Sequence, residues 1–130
     1  MIEDQQYPGE LFMSDTSSFG ASLEALFQTI EARKGADATS SYTARLLAEG
    51  PDRVAQKVGE EAVELVIAAA QRDGKGAVAE SADLLYHLAV LWASLGITPA
   101  DVAAALDGRR GVSGLDEKKS RATTNQGNQG

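Results

Sequence analysis

The chain has no cysteine and a single histidine. The first absence excludes disulfides and thiol chemistry. Together the two remove the nitrogen and sulfur ligands that zinc prefers. Long apolar runs are also missing. No stretch of 18 consecutive apolar residues occurs, so nothing in the sequence is expected to span a membrane. The first residues include Glu3 and Asp4 instead of a basic segment followed by an apolar one, so no secretory signal is expected. The expected compartment is the cytoplasm. Positive charge is scarce: 12 Lys and Arg stand against 19 Asp and Glu, a net charge of −7. That balance argues against a nucleic-acid binder, which would show a basic face. An acidic protein acting on an anionic ligand needs a cation to mediate between them.

What is present is helical periodicity. Both ends of the 130-residue chain lack it. Residues 1–18 are polar and read as a flexible extension, with Met13 a possible alternative start. Residues 116–130 end in TTNQGNQG and read as a flexible tail. Residues 19–115 are expected to form one all-α domain of about five helices. A core from about 95 residues is small, so burial against a second copy is expected to complete the bundle as a homodimer.

The first helix is expected over residues 22–34, with Phe19, Leu23, Leu26, Phe27 and Ile30 as its apolar stripe. A second, short helix is expected over residues 41–49, ending at Gly50. Pro51 opens a third that runs to about residue 72. The sequence DGKG reads as a break, and the fourth helix is expected over residues 77–95, ending at Gly96. Thr98, Pro99 and Asp101 mark the start of a fifth, which fades near Gly108.

The third and fourth helices are unusual. On a wheel of about 100° per residue, Val54, Val58, Ala62, Leu65, Val66 and Ala69 fill one side of the third. Val63, Ile67 and Ala70 extend that apolar surface, leaving a narrow arc for Lys57, Glu60, Glu61 and Glu64. The fourth is apolar nearly all round, through Leu84, Leu85, Leu88, Val90, Leu91, Trp92 and Leu95. Its one polar stripe carries Glu80, Asp83 and His87. Helices this apolar are buried, so their acids must face a cavity, a cation or a partner charge.

A short connection makes these two helices antiparallel neighbours, with Glu61 and Glu64 opposite Glu80 and Asp83. Carboxylates about 6 Å apart at an effective dielectric near 20 repel by roughly 3 kcal/mol per pair. Six such pairs rival the stability of a domain. Proton uptake relieves part of this. A hard divalent cation relieves it more directly because it prefers oxygen ligands. Magnesium is the expected ion, with manganese as a substitute.

The pattern Glu60-Glu61-x-x-Glu64 followed by Glu80-x-x-Asp83 resembles the metal-binding signature of the all-α NTP pyrophosphatase superfamily. Three longer stretches narrow the likeness. SYTARLLAEG at 41–50, KVGEEAVELVIAA at 57–69 and ESADLLYHLAVL at 80–91 resemble the phosphoribosyl-ATP pyrophosphatase family. The likeness spans residues 23–110 in order and spacing. It implies hydrolysis of phosphoribosyl-ATP to phosphoribosyl-AMP and pyrophosphate, the second step of histidine biosynthesis. It also implies a monofunctional enzyme, because the cysteines of a fused cyclohydrolase domain are absent. Carried over by position, Glu61, Glu64, Glu80 and Asp83 are the implied metal ligands. Glu60, Glu61 and Glu64 are the implied catalytic acids, Glu60 holding a further ion or orienting a water. An activated water would attack phosphorus while a carboxylate takes its proton.

The remaining polar residues carry two readings each. Lys57 is a phosphate contact or the i,i+4 partner of Glu61. Ser41, Tyr42 and Thr43 open a short helix whose amides and hydroxyls can bind phosphate, and capping explains Ser41 equally well. Arg45 and Arg53 are candidate phosphate or ribose contacts. His87 is a substrate contact or a structural histidine, and Tyr86 and Trp92 are core or interface. Two other functions share the pattern: a house-cleaning dNTP pyrophosphatase for dUTP or dCTP, and a non-catalytic helical dimer that binds nucleotide. The SYTARLL and DLLYHL stretches speak against the first, and the intact set of five acids against the second.

Overall fold

The computed structural model describes residues 18–111 together with Lys118 and Arg121. The expectations for the N-terminal extension, for a start at Met13 and for the C-terminal tail otherwise lie outside the described residues. Every regular element among those residues is an α-helix: α1 (Phe19–Ala32), α2 (Tyr42–Glu49), α3 (Pro51–Ala70), α4 (Gly74–Leu95) and α5 (Pro99–Asp107). No single described helix is long and apolar enough to cross a membrane.

Two helices begin three residues earlier than the periodicity predicts, and in both the reason is a cap. Ser18 accepts the Ala21 N–H at 3.1 Å and starts α1 at Phe19. Asp73 accepts the Gly76 N–H at 2.9 Å, so the Gly-Lys-Gly that reads as a break becomes the first turn of α4. Between α3 and α4 only Gln71, Arg72 and Asp73 remain. Arg72 turns the chain in the left-handed region at φ 56°, the one non-glycine described residue with positive φ. The other starts follow the sequence. Ser41 caps α2, and Pro51 and Pro99 stand at the first turns of α3 and α5. Gly50 and Gly96 end α2 and α4 with positive φ, where an L side chain would be strained.

The described chain divides into two compact units between Gly96 and Ile97. In the first, α3 and α4 form the most extensive helix pair, an antiparallel hairpin. α1 packs on α4, and α2 packs on both α3 and α4. Phe27 and Ile30 from α1, Leu46 from α2, Val54 from α3 and Ala89, Val90 and Ala93 from α4 make the core. Leu26, Leu47, Tyr86, Leu91 and Trp92 pack against it, half-buried. Phe19, placed on the α1 stripe by its spacing, is 69% exposed, while Leu26, Phe27 and Ile30 of that stripe join the core. The second unit contains α5, whose start is a capping box. Thr98 takes the Asp101 N–H while the Asp101 carboxylate takes the Thr98 N–H.

The hairpin leaves apolar surface uncovered. Val63, Val66 and Ile67 on α3 are 58%, 65% and 51% exposed, and Val78 on α4 is 72% exposed. These are β-branched residues that a monomer in water has no reason to display side by side on one helix.

Candidate metal and substrate site

The α3–α4 hairpin brings acids from both helices to one place. One carboxylate oxygen each from Glu61, Glu64 and Glu80 lie within 4.8 Å of one another. Glu61 and Glu80 are half-buried and Glu64 is exposed. Within this group Glu61 Oε2 and Glu80 Oε2 are buried and have no hydrogen-bond partner. A buried acceptor without a donor is costly, and two such groups beside a third carboxylate compound the cost through repulsion.

Electrostatics records the strain. Burial, then the facing Glu64 carboxyl, then the charge of Asp83 hold Glu61 above the usual carboxylate range; its contact with Glu80 pulls the other way. Glu80 is raised by the loss of solvent around it first, then by Glu64, and further by the charges of Glu61 and Asp83. Asp83 is exposed and stands outside the tight trio, but its charge reaches both Glu61 and Glu80. An all-oxygen cluster with bare buried acceptors suits a hard divalent cation and offers nothing to a soft one.

Glu60 does something else. Adjacent helix positions diverge by about 100°, and Glu60 is not one of the trio. It accepts from Gln56 Nε2 at 3.4 Å and pairs with Lys57 Nζ at 3.5 Å. Lys57 therefore pairs at i,i+3 with Glu60, where the spacing offered Glu61 at i,i+4. Arg53 continues the chain by donating to Gln56 Oε1 at 3.0 Å. Glu49 lies 3.9 Å from Arg45 and 3.5 Å from Arg53, between the two guanidinium groups. A band of cations thus flanks the acids on α2 and α3.

Three of the sequence-derived substrate residues are engaged within the chain. Ser41 Oγ accepts the Ala44 N–H at 3.1 Å. The Thr43 hydroxyl is hydrogen-bonded to the Tyr86 phenol. His87 is 6% exposed, with its ring nitrogens 2.8 Å from the Asp83 carbonyl and 3.2 Å from the Tyr42 phenol. The sequence places Tyr42 beside Ser41 and Thr43 as a candidate phosphate contact and Tyr86 as core or interface; neither is expected from it to bond across α2 and α4. Their signal was present in the neighbouring aromatic and hydroxyl residues of SYT and LYH, but the helical period does not say how α2 is rotated against α4. A separate cavity of about 400 Å³ opens where α2 meets the end of α4, lined in part by Lys34, Ala44, Leu47 and Ser94; none of the acids lines it.

Fold and site together define a small helical protein built around a carboxylate cluster for a hard cation, flanked by cationic side chains. The chain is a member of the phosphoribosyl-ATP pyrophosphohydrolase family, whose model matches residues 23–110. It is 63% identical over 99 residues to the phosphoribosyl-ATP pyrophosphatase of Parvibaculum lavamentivorans, covering 76% of this chain and 91% of that protein. The protein of the same name from Paramagnetospirillum magneticum is 57% identical over 100 residues, covering 77% and 92%. That from Azospirillum brasilense is 51% identical over 109 residues, covering 84% and 98%.

Proposed function

We propose that this protein hydrolyses phosphoribosyl-ATP to phosphoribosyl-AMP and pyrophosphate, the second step of histidine biosynthesis, in the cytoplasm. The observation that carries the chemistry is the convergence of three carboxylates from two helices with two buried oxygens bare. Membership of a family whose relatives bear that name supports the choice of substrate. Glu61, Glu64, Glu80 and Asp83 hold magnesium, for which manganese can substitute. When bound, the ion supplies positive charge beside the phosphate oxygens.

The chain's own residues do the remaining work. Water adds to one phosphorus of the α–β anhydride, the bridging oxygen leaves with the other, and a carboxylate takes the water's proton. That transfer is assigned to Glu64, the exposed acid of the trio. Glu60, held by Gln56 and Lys57, orients the water. Arg45 and Lys57 meet the phosphate oxygens, while Ser41 and Thr43 shape the end of α2 that faces them. A second copy of the chain covers the exposed valines and isoleucine of α3, giving a homodimer.

The test is direct. The protein is mixed with phosphoribosyl-ATP, dUTP or dCTP, with and without magnesium, and pyrophosphate is followed. Release from phosphoribosyl-ATP alone, and only with the ion, is the expected result. Faster release from dUTP or dCTP would assign a house-cleaning role, and no release from any of the three would leave a nucleotide-binding dimer.

A further inference from the structure

The chain's only histidine lies one turn beyond Asp83 on α4 and is buried. Its two ring nitrogens face different chemistry. Nδ1 is 2.8 Å from the backbone carbonyl of Asp83, a group that only accepts, so Nδ1 carries the proton. Nε2 of the neutral ring is then a bare acceptor, and the Tyr42 phenol 3.2 Å away donates to it. One position along each helix, the Thr43 hydroxyl and the Tyr86 phenol form a second bond. Ring packing adds to both. Tyr42 stacks on Tyr86 with centroids 6.4 Å apart, and Tyr86 meets His87 edge-on at 5.0 Å.

These contacts matter because α2 has only 8 residues. A helix that short does not hold itself together or in place; docking does. Arg45 rides on the same turn, its guanidinium 5.4 Å from the centre of the Tyr42 ring. Four residues of α4 rise about 6 Å, so His87 sits that far along the axis from Asp83, the last acid of the site.

We propose that His87 and Tyr42 are positioning residues: the imidazole, with its proton on Nδ1, holds the Tyr42 phenol and so fixes the first turn of α2, with Arg45, beside the acid cluster. His87 acts on the substrate through α2 and does not touch it. The proposal rests on the reading of α2 as a substrate-contacting element. It goes beyond that reading by assigning the work to the Nε2 bond and not to the Nδ1 bond.

Because the chain has one imidazole, its ¹⁵N spectrum is unambiguous. In the neutral ring a protonated Nδ1 and a bare Nε2 are expected, and the opposite tautomer overturns the proposal. Kinetics supplies the second arm. Tyr42→Phe and His87→Asn should each raise KM for phosphoribosyl-ATP on the order of tenfold, the scale of one lost hydrogen bond. In each, kcat should change less, and the stabilisation of the protein by magnesium should not change. Combined, they should cost no more than either alone. His87→Gln places an amide oxygen where Nε2 stood and should recover much of what His87→Asn loses. Rescue by asparagine in place of glutamine, additive penalties, or a Tyr42→Phe variant with unaltered KM each overturn the proposal. Should the His87 variants fail to fold, Tyr42→Phe decides alone, since it removes one hydroxyl from a ring that is 43% exposed. A wild-type protein inactive on phosphoribosyl-ATP sinks the functional reading itself; an active wild type with an indifferent Tyr42→Phe sinks only the positioning.

Discussion

Glu61 and Glu80 bind a proton more tightly in the folded protein than in the unfolded chain, because burial and crowding disfavour their charged forms. The sign of the consequence follows from linkage. Between the ordinary carboxylate value, about 4.3, and the raised folded values, the native state carries more protons than the unfolded one. Stability in that window falls as pH rises. Metal-free protein should therefore lose melting temperature from these two residues as pH climbs through their folded values, and magnesium at neutral pH should restore it. Glu61→Gln and Glu80→Gln keep the shape and remove a charge. Each should raise the melting temperature of the metal-free protein at pH 7 and flatten that part of its pH dependence. Each should also abolish the shift produced by magnesium and cut turnover by a hundredfold or more, on the order of what losing a key electrostatic group costs. Thermal melts with and without the ion check all of these together. The acids at this site were legible one by one from their spacing. Glu60, next to Glu61 in sequence, lies about 100° round the helix from it, against Gln56 and Lys57.

At the scale of helices, apolar spacing revealed all five elements but misplaced two beginnings. Periodicity reports which residues face the core; caps decide where a helix starts, and Ser18 and Asp73 sit where the sequence reads as loop. The glycines after Asp73 reinforced that misreading, since glycine disfavours a helix interior but costs less in a capped first turn. The α3–α4 connection carries its own strain. Arg72 holds a left-handed backbone at φ 56°, which costs a residue with a Cβ roughly 1–2 kcal/mol. Its guanidinium returns a little by donating to the Ala69 carbonyl at 3.0 Å. Arg72→Gly should therefore stabilise the protein by up to about 1 kcal/mol. Asp73→Ala should destabilise it by about 1 kcal/mol through loss of the cap. Urea denaturation of the two variants measures both. The orientation of α2 on α4 was beyond sequence reasoning for a different reason: it depends on which hydroxyls and rings meet across two helices, and a one-dimensional period carries no such information.

For the whole molecule, the exposed face of α3 is the feature to explain. Three β-branched side chains lie more than half exposed on a helix whose opposite side is core. A second copy is the occupant expected from the size of the chain and the composition of this helix. Val66→Lys or Ile67→Glu should leave the helical circular dichroism intact and shift the protein to monomer in light scattering. A wild-type protein that is already monomeric at micromolar concentration would count against this assembly.

The hairpin has a consequence for how the protein is made. Glu61, Glu64, Glu80 and Asp83 belong to two consecutive helices linked by three residues. Bringing their ends together closes a short loop, which is entropically cheap and kinetically fast. The ion-gathering half of the molecule can thus come together before α1 has docked, and like-charge crowding then resists that early step until a cation arrives. Refolding rates should accordingly rise with magnesium concentration, which would make the ion a folding partner.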